Sequence, residues 1–137
     1  MPPKREALRA MRAEIDRATL SALDFGTFDY FDAVAALRKL AKRYRHNTCA
    51  VCYGGHVSLY LHQTPIVSIT REGVIVLAHG GYTTRTTQAR TNQALNALGL
   101  VASISRAGRD CFALTDPHTG LSVEVSDNGT RLALLDH

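Results

Sequence analysis

Apolar residues recur every three or four positions over residues 4–23 (Leu8, Met11, Ile15, Ala18, Ala22), while Arg5, Arg9, Arg12, Arg17, Glu6 and Asp16 occupy the other face. That period predicts an amphipathic helix. The segment DFGT interrupts it, with Gly26 as the break and Thr27 as an N-cap. A second helix is predicted from Phe28 to about Arg45, turning Phe31, Val34, Leu37, Ala41 and Tyr44 inward. Asp29 and Asp32 in its first turn and Lys42, Arg43 and Arg45 in its last complement the helix dipole at both ends.

After His46 and Asn47 the period changes to two. TCAVCY (48–53), HVSLYLH (56–62), PIVSIT (65–70) and GVIVLAH (73–79) are short, rich in β-branched and aromatic residues, and separated by turn residues. Four strands in an antiparallel meander is the economical reading. Residues 86–98 then predict a central helix closed by Gly99. LVASIS, CFALTD, LSVEVS and RLALLD are four further strand candidates, joined by RAGRD, PHTG and DNG, of which DNG is the strongest hairpin signal. The expected fold class is α+β: two N-terminal helices and one central helix (about 86–98) covering an antiparallel sheet of about six to eight short strands. The 137 residues suit a single domain, 1–137, with a helical part at 1–45, a meander plus helix at 46–98 and C-terminal strands at 99–137.

Charge sharpens this picture more than composition does. Between Ala33 and Arg109 there are ten bases and a single acid, Glu72, whereas from Cys111 onward four acids face one base, Arg131. A surface polarised in this way points to phosphate-bearing partners or to an acidic protein surface. The exposed end of the second helix, with Arg38, Lys39, Lys42, Arg43 and Arg45, is the candidate basic patch, although solvated helix faces carry the same pattern. No apolar run approaches the roughly 18 residues of a membrane span, and no apolar leader follows Met1, so a cytoplasmic protein without membrane partners is expected. Three cysteines do not suggest a disulfide framework. CAVC (Cys49 to Cys52) has C-x-x-C spacing but lies in a strand pattern that sends the two thiols to opposite faces, so buried free thiols are expected and no metal or cofactor.

The chemistry concentrates in HGGYTTRTTQARTNQALNALG, residues 79–99. Gly80 and Gly81 permit a tight turn and a close backbone approach. Thr86 or Thr87 can cap the helix, whose first amides are free donors at its positive end. With Tyr82, Thr84, Arg85, Arg90 and Asn92 alongside, the run forms a candidate anion cradle, though without the lysine of a P-loop. The same residues also suit a purely structural strand-to-helix junction in which Arg90 ties the helix to the sheet. Tyr60 is read as core, and Tyr82 is left open between core and platform. His46/Thr48 and His62/Thr64 form two H-x-T triplets, the pattern of two-histidine phosphoesterases, but are too closely spaced in sequence for that family's two halves.

RHNT (45–48), LYLHQTPIVSIT (59–70) and GVIVLAHGGYTTRTTQARTNQAL (73–95) together resemble a small domain recurrent in tailed bacteriophage proteins, marked by GG[YW].T.TT..R.N at Gly80 to Asn92. The likeness covers residues 45–98, leaving the N-terminal helical pair and the C-terminal strands outside it. It implies a phage context and no particular reaction. The expected function is therefore a non-enzymatic phage binding protein, a counter-defence or host-takeover factor whose partner is a nucleotide or nucleic-acid phosphate. The alternatives are a protein inhibitor of a host defence complex, such as an anti-CRISPR meeting an acidic host protein surface, and a phosphoesterase. Edge strands would also permit a homodimer.

Overall fold

The computed structural model describes residues 19–20, 29–125 and 129–134. Within them the chain is α+β, with two helices and nine strands in two sheets. α1 (Tyr30–Arg43) starts at Asp29, whose carboxylate accepts from the amides of Phe31 (2.8 Å) and Asp32. Thr27, the expected cap, lies outside the described residues. The buried stripe of α1 is Ala33, Leu37, Leu40 and Ala41. Phe31, expected inside, is 70% exposed. At 100° per residue it lies roughly 120° round the helix from Leu37, so it cannot share that stripe.

β2 (Thr48–Tyr53), β3 (His56–Leu61), β4 (Thr64–Thr70) and β5 (Val74–Leu77) form the expected meander, each pairing antiparallel with the next. α2 (Arg85–Ala97) follows, capped by Thr84 and not by Thr86 or Thr87. β6 (Ser103–Gly108), β7 (Cys111–Asp116) and β8 (Leu121–Val125) make a separate three-stranded sheet. β9 (Thr130–Leu134) leaves that sheet and pairs antiparallel with β5. The hairpin expected at DNG is thus not made: β8 pairs with β7, while β9 enters the larger sheet, whose order, with β1 at Thr19–Leu20, is β1-β9-β5-β4-β3-β2. Burial decides this outcome. Leu132 in β9 is fully buried beside Ile75, a position that an extension of β8 would not supply.

β1 (Thr19–Leu20) pairs parallel with Ala133 and Leu134 of β9. The helix expected over residues 4–23 therefore does not extend through Thr19 and Leu20, and its remainder lies outside the described residues. No helix among the described residues is long and apolar enough to cross a membrane.

α1 packs on β2, β3 and β4, and α2 packs on α1, β4 and β6. One continuous core results, in which Leu37 and Leu40 of α1, Val57, Leu59 and Ile69 of the meander, Leu95 of α2, and Ile104, Phe112 and Leu114 of the small sheet share a single cluster. The seam between the helices is held by Arg90, only 6% exposed, whose guanidinium lies 3.5 Å from the centre of the Tyr44 ring. Arg90 also donates to Gln93 Oε1 (3.1 Å), and Gln93 Nε2 donates to the Tyr44 hydroxyl (2.9 Å). Arg90 thus ties α2 to the end of α1, where the sequence suggested a tie to the sheet.

The second face of the meander is closed too. His56, Ser58, Tyr60 and Ser68 are buried there, with the two serine hydroxyls hydrogen-bonded at 2.7 Å. Tyr60 is core, as expected. Cys49 and Cys52 are exposed and not buried, because β2 is the edge strand of its sheet; they do lie on opposite faces, opposite Tyr60 and Val57 respectively.

His56 is 3% exposed and its Nε2 has no hydrogen-bond partner. Burial pushes its pKa below the ordinary 6.5. Below that value the unfolded chain binds the proton more readily, so stability is full above pH 6.5 and falls as the pH drops through the folded-state pKa. Urea unfolding between about pH 5 and pH 8 is expected to show that decline, and His56→Leu to flatten it. An unchanged slope in the variant would assign the effect to another group.

Candidate functional site

Three turns meet at one end of the meander. The first follows α1, where Asn47 precedes β2 and accepts on its Oδ1 from the Thr48 hydroxyl (2.8 Å). The second joins β3 to β4 through His62, which among the described residues is the non-glycine residue with a positive φ, 55°. Histidine is one of the few side-chain-bearing residues enriched in that conformation, which is common near functional sites. The His62 amide donates to the Asn47 carbonyl at 2.7 Å and locks the first two turns together. Next to it the β3–β4 register shifts: Leu59 opposes Val67, yet Tyr60 opposes Pro65, leaving Ile66 as the extra residue of a bulge. Proline has no amide to give the ladder, so a bulge is where a strand tolerates it.

The third turn runs from β5 into α2. Gly80 and Gly81 both adopt positive φ, 59° and 87°, and the Tyr82 amide closes the turn on the His79 carbonyl at 2.9 Å. A Cβ on Gly80 would lie 2.7 Å from Thr64 Cγ2, so only glycine lets this turn lie against the start of β4. His79 is buried, stands edge-on to Phe112 and accepts from the Gly81 amide at Nδ1 (3.0 Å). Its neutral ring consequently carries its proton on Nε2. Arg106, from β6, donates to the carbonyl oxygens of Thr83 and Arg109 and braces the junction from the small sheet.

These turns enclose a cleft of about 550 Å³. Leu61 and Ile66 give it an apolar floor, Asn47, His62, Gln63 and Thr64 line one side, and His79, Tyr82, Thr84, Thr86 and Thr87 line the other. The volume is that of a small-molecule pocket with a few convergent polar groups. Among the described residues no carboxylate lines it, and the amino terminus of α2 contributes Thr86 and Thr87 with the capping Thr84. Thr84 Oγ1 accepts from the Thr87 amide (3.2 Å) and shares a hydrogen bond with the Thr87 hydroxyl (3.0 Å). The remaining first-turn amides have no partner within a helix and sit at its partly positive end.

The structure thus divides the sequence candidates. Tyr82, Thr84, Thr86 and Thr87 line the cleft, and Gly80 and Gly81 shape its rim; Tyr82 is 63% exposed, its ring available to a ligand. Arg85 is exposed beside the cleft without lining it. Arg90 faces Tyr44, and Asn92 pins β6 by donating to the Ile104 carbonyl (3.0 Å) and accepting its amide (2.7 Å). Of the two H-x-T triplets, His62 and Thr64 line the cleft, whereas His46 is exposed and Thr48 buried, both outside it. Arg38, Lys39, Lys42, Arg43 and Arg45 are exposed along α1 and just beyond it. Asn47, Gln63 and His79 were not singled out as site residues from the sequence. Their signal lay in the quoted phage-like segments, which place them in the same three turns. Among the described residues, no three His, Cys, Asp or Glu side chains are grouped to hold a metal.

The family model described as Kyanoviridae Gp96 protein matches residues 31–116. This span is wider than residues 45–98, where the likeness was read, and takes in α1 from Phe31 and the strands β6 and β7. No curated protein and no solved structure matches the chain.

Two substitutions check this geometry. Gly80→Ala is expected to lose about 2 kcal/mol in urea unfolding, part of it recovered by adding Thr64→Ala, which removes the colliding methyl. Arg90→Ala is expected to lose a similar amount, about 2 kcal/mol, by stripping the cation from the Tyr44 ring and leaving Gln93 Oε1 without its donor.

Proposed function

The chain belongs to the Kyanoviridae Gp96 protein family, a family of phage proteins, and on that premise we propose that it is a phage binding protein that holds a nucleotide in the cleft at the amino terminus of α2. The carrying observation is the cleft itself: the threonines at the amino terminus of α2, two histidines and two amide side chains line it together, and among the described residues no carboxylate does. Such a lining suits phosphate oxygens, which helix amino termini receive with their free amides and dipole. Tyr82 at the mouth offers a ring face for the base. His79 contributes an Nε2 proton, and Asn47, its Oδ1 already engaged by Thr48, contributes its amino group.

Retention suits this lining better than turnover. Among the described residues it holds no carboxylate to serve as a general base, and the paired histidines of a phosphoesterase are not both in its lining, since His46 stands outside. In a phage protein, a retained nucleotide fits the sequestration of a signal on which host defence depends, in the host cytoplasm. A second reading has its own observation. Lys39, Lys42, Arg43 and Arg45 are exposed together around the end of α1, a surface suited to an acidic host protein such as a component of a defence complex.

Calorimetric titration of the protein with nucleoside mono-, di- and triphosphates and cyclic nucleotides at low salt is expected to identify a binder, with the parent nucleoside much weaker. Thr86→Glu is the informative variant. A carboxylate in the first turn favours the helix yet repels a phosphate, so binding should be lost while thermal stability is kept. Failure of every nucleotide to bind, or undiminished binding by Thr86→Glu, would overturn the reading.

A further inference from the structure

At the opposite end of the β3–β4 hairpin the chain forms a second cleft, of about 330 Å³, between the first turns of α1 and the tip of the β2–β3 turn. It shares no residue with the α2 cleft. Its character is aromatic and cationic. Phe31 and Tyr53, two of the three exposed large hydrophobic residues among those described, flank it, Tyr53 being 53% exposed. The Arg71 guanidinium lies against the first turn of α1, 5.6 Å from the Tyr30 ring centre and 5.8 Å from that of Phe31. Arg38 reaches in from the next turn of α1, its Nη2 3.5 Å from Cys52 Sγ.

Several features set this cleft apart from a solvated helix end. No acid lines it, and neither Arg38 nor Arg71 forms an ion pair among the described residues. The turn at its rim is Gly54-Gly55, both with positive φ (59° and 84°), two positions that put no side chain of their own at the opening. Its lining also includes His56, whose Nε2 is buried without a hydrogen-bond partner. A buried nitrogen left unsatisfied costs free energy that a bound polar group can recover. Exposed ring faces interleaved with unpaired guanidiniums are the two elements of a single-strand platform: bases stack on the rings, and the cations follow the backbone. A duplex hides its base faces, so a double strand would engage the cations alone.

We propose that this cleft docks single-stranded nucleic acid, with bases stacked on Phe31 and Tyr53 and phosphates held by Arg71 and Arg38. The site is independent of the nucleotide cleft. A strand of about ten nucleotides would continue from it along the outer face of α1, where Lys39 and Lys42 are exposed.

The test is fluorescence anisotropy with labelled oligo-dT and oligo-rU of about ten nucleotides and a duplex control, over roughly 50 to 200 mM salt. Single strands should bind more tightly than the duplex. Phe31→Ala and Tyr53→Ala should each weaken binding roughly tenfold, and Arg71→Gln and Arg38→Gln should each lower the salt slope by about 0.7. Both aromatic residues are more than half exposed, so unchanged circular dichroism and urea midpoints are expected of their variants. Thr86→Glu, which disables the other cleft, should leave single-strand affinity untouched. Absence of single-strand binding, wild-type affinity retained in both Phe31→Ala and Tyr53→Ala, or loss in Thr86→Glu alone would overturn the proposal. Binding of polyglutamate in place of single strands, lost in Phe31→Ala, would overturn it in favour of an acidic protein partner.

Discussion

The stacking of Arg90 on Tyr44 is the contact on which the arrangement of the helices turns. Burying a guanidinium is costly unless its charge is met, and here the ring face and the Gln93 oxygen meet it, with Nε left without a hydrogen-bond partner and no carboxylate paired with it among the described residues. Burial lowers the Arg90 pKa, while the neighbouring Tyr44 opposes that shift. Because Tyr44 caps α1 and Arg90 lies in the second turn of α2, this one contact sets where α2 begins relative to the turns before β2 and between β3 and β4. The position of the α2 amino terminus, and with it the cleft, follows from that seam.

Much of the layout is legible in the sequence because it is local. The period-two meander, the central helix and the outward position of the basic end of α1 all follow from residues within one element of each other. What is not legible is non-local. The DNG turn has the chemistry of a hairpin, but β9 pairs with β5, where Leu132 is fully buried opposite Ile75. Phe31 reads as core from its hydrophobicity and lies outside the stripe that Leu37 and Leu40 define. Thr19 and Leu20 continue a helical pattern and yet pair with the edge of β9, which becomes available only once the sheet has formed.

The candidate site was half readable for the same reason. Gly80, Gly81 and the threonines that follow announce a strand-to-helix junction, and the structure puts them at a cleft. Arg90 and Asn92 carry the same signal in sequence, but neither lines the cleft: one stacks on Tyr44 and the other fastens β6. Asn47, His62 and His79 come from three separate turns, and only the packing of those turns brings them together. A positive φ at His62 is invisible in a sequence, although it aims that residue at the cleft.

The place of β9 has a consequence for how the chain reaches this state. β9 sits inside the larger sheet, between β5 and β1, but is separated from β5 in sequence by α2 and by the whole of the small sheet. Its ladder with β5 therefore closes a long loop and gains nothing until the intervening elements are compact. The meander and the three-stranded sheet can each assemble from neighbouring segments beforehand, leaving the free edge of β5 briefly uncovered. β9 then acts as a clasp: following the small sheet in the chain, it docks in the larger one, covers that edge and closes the loop that the small sheet forms.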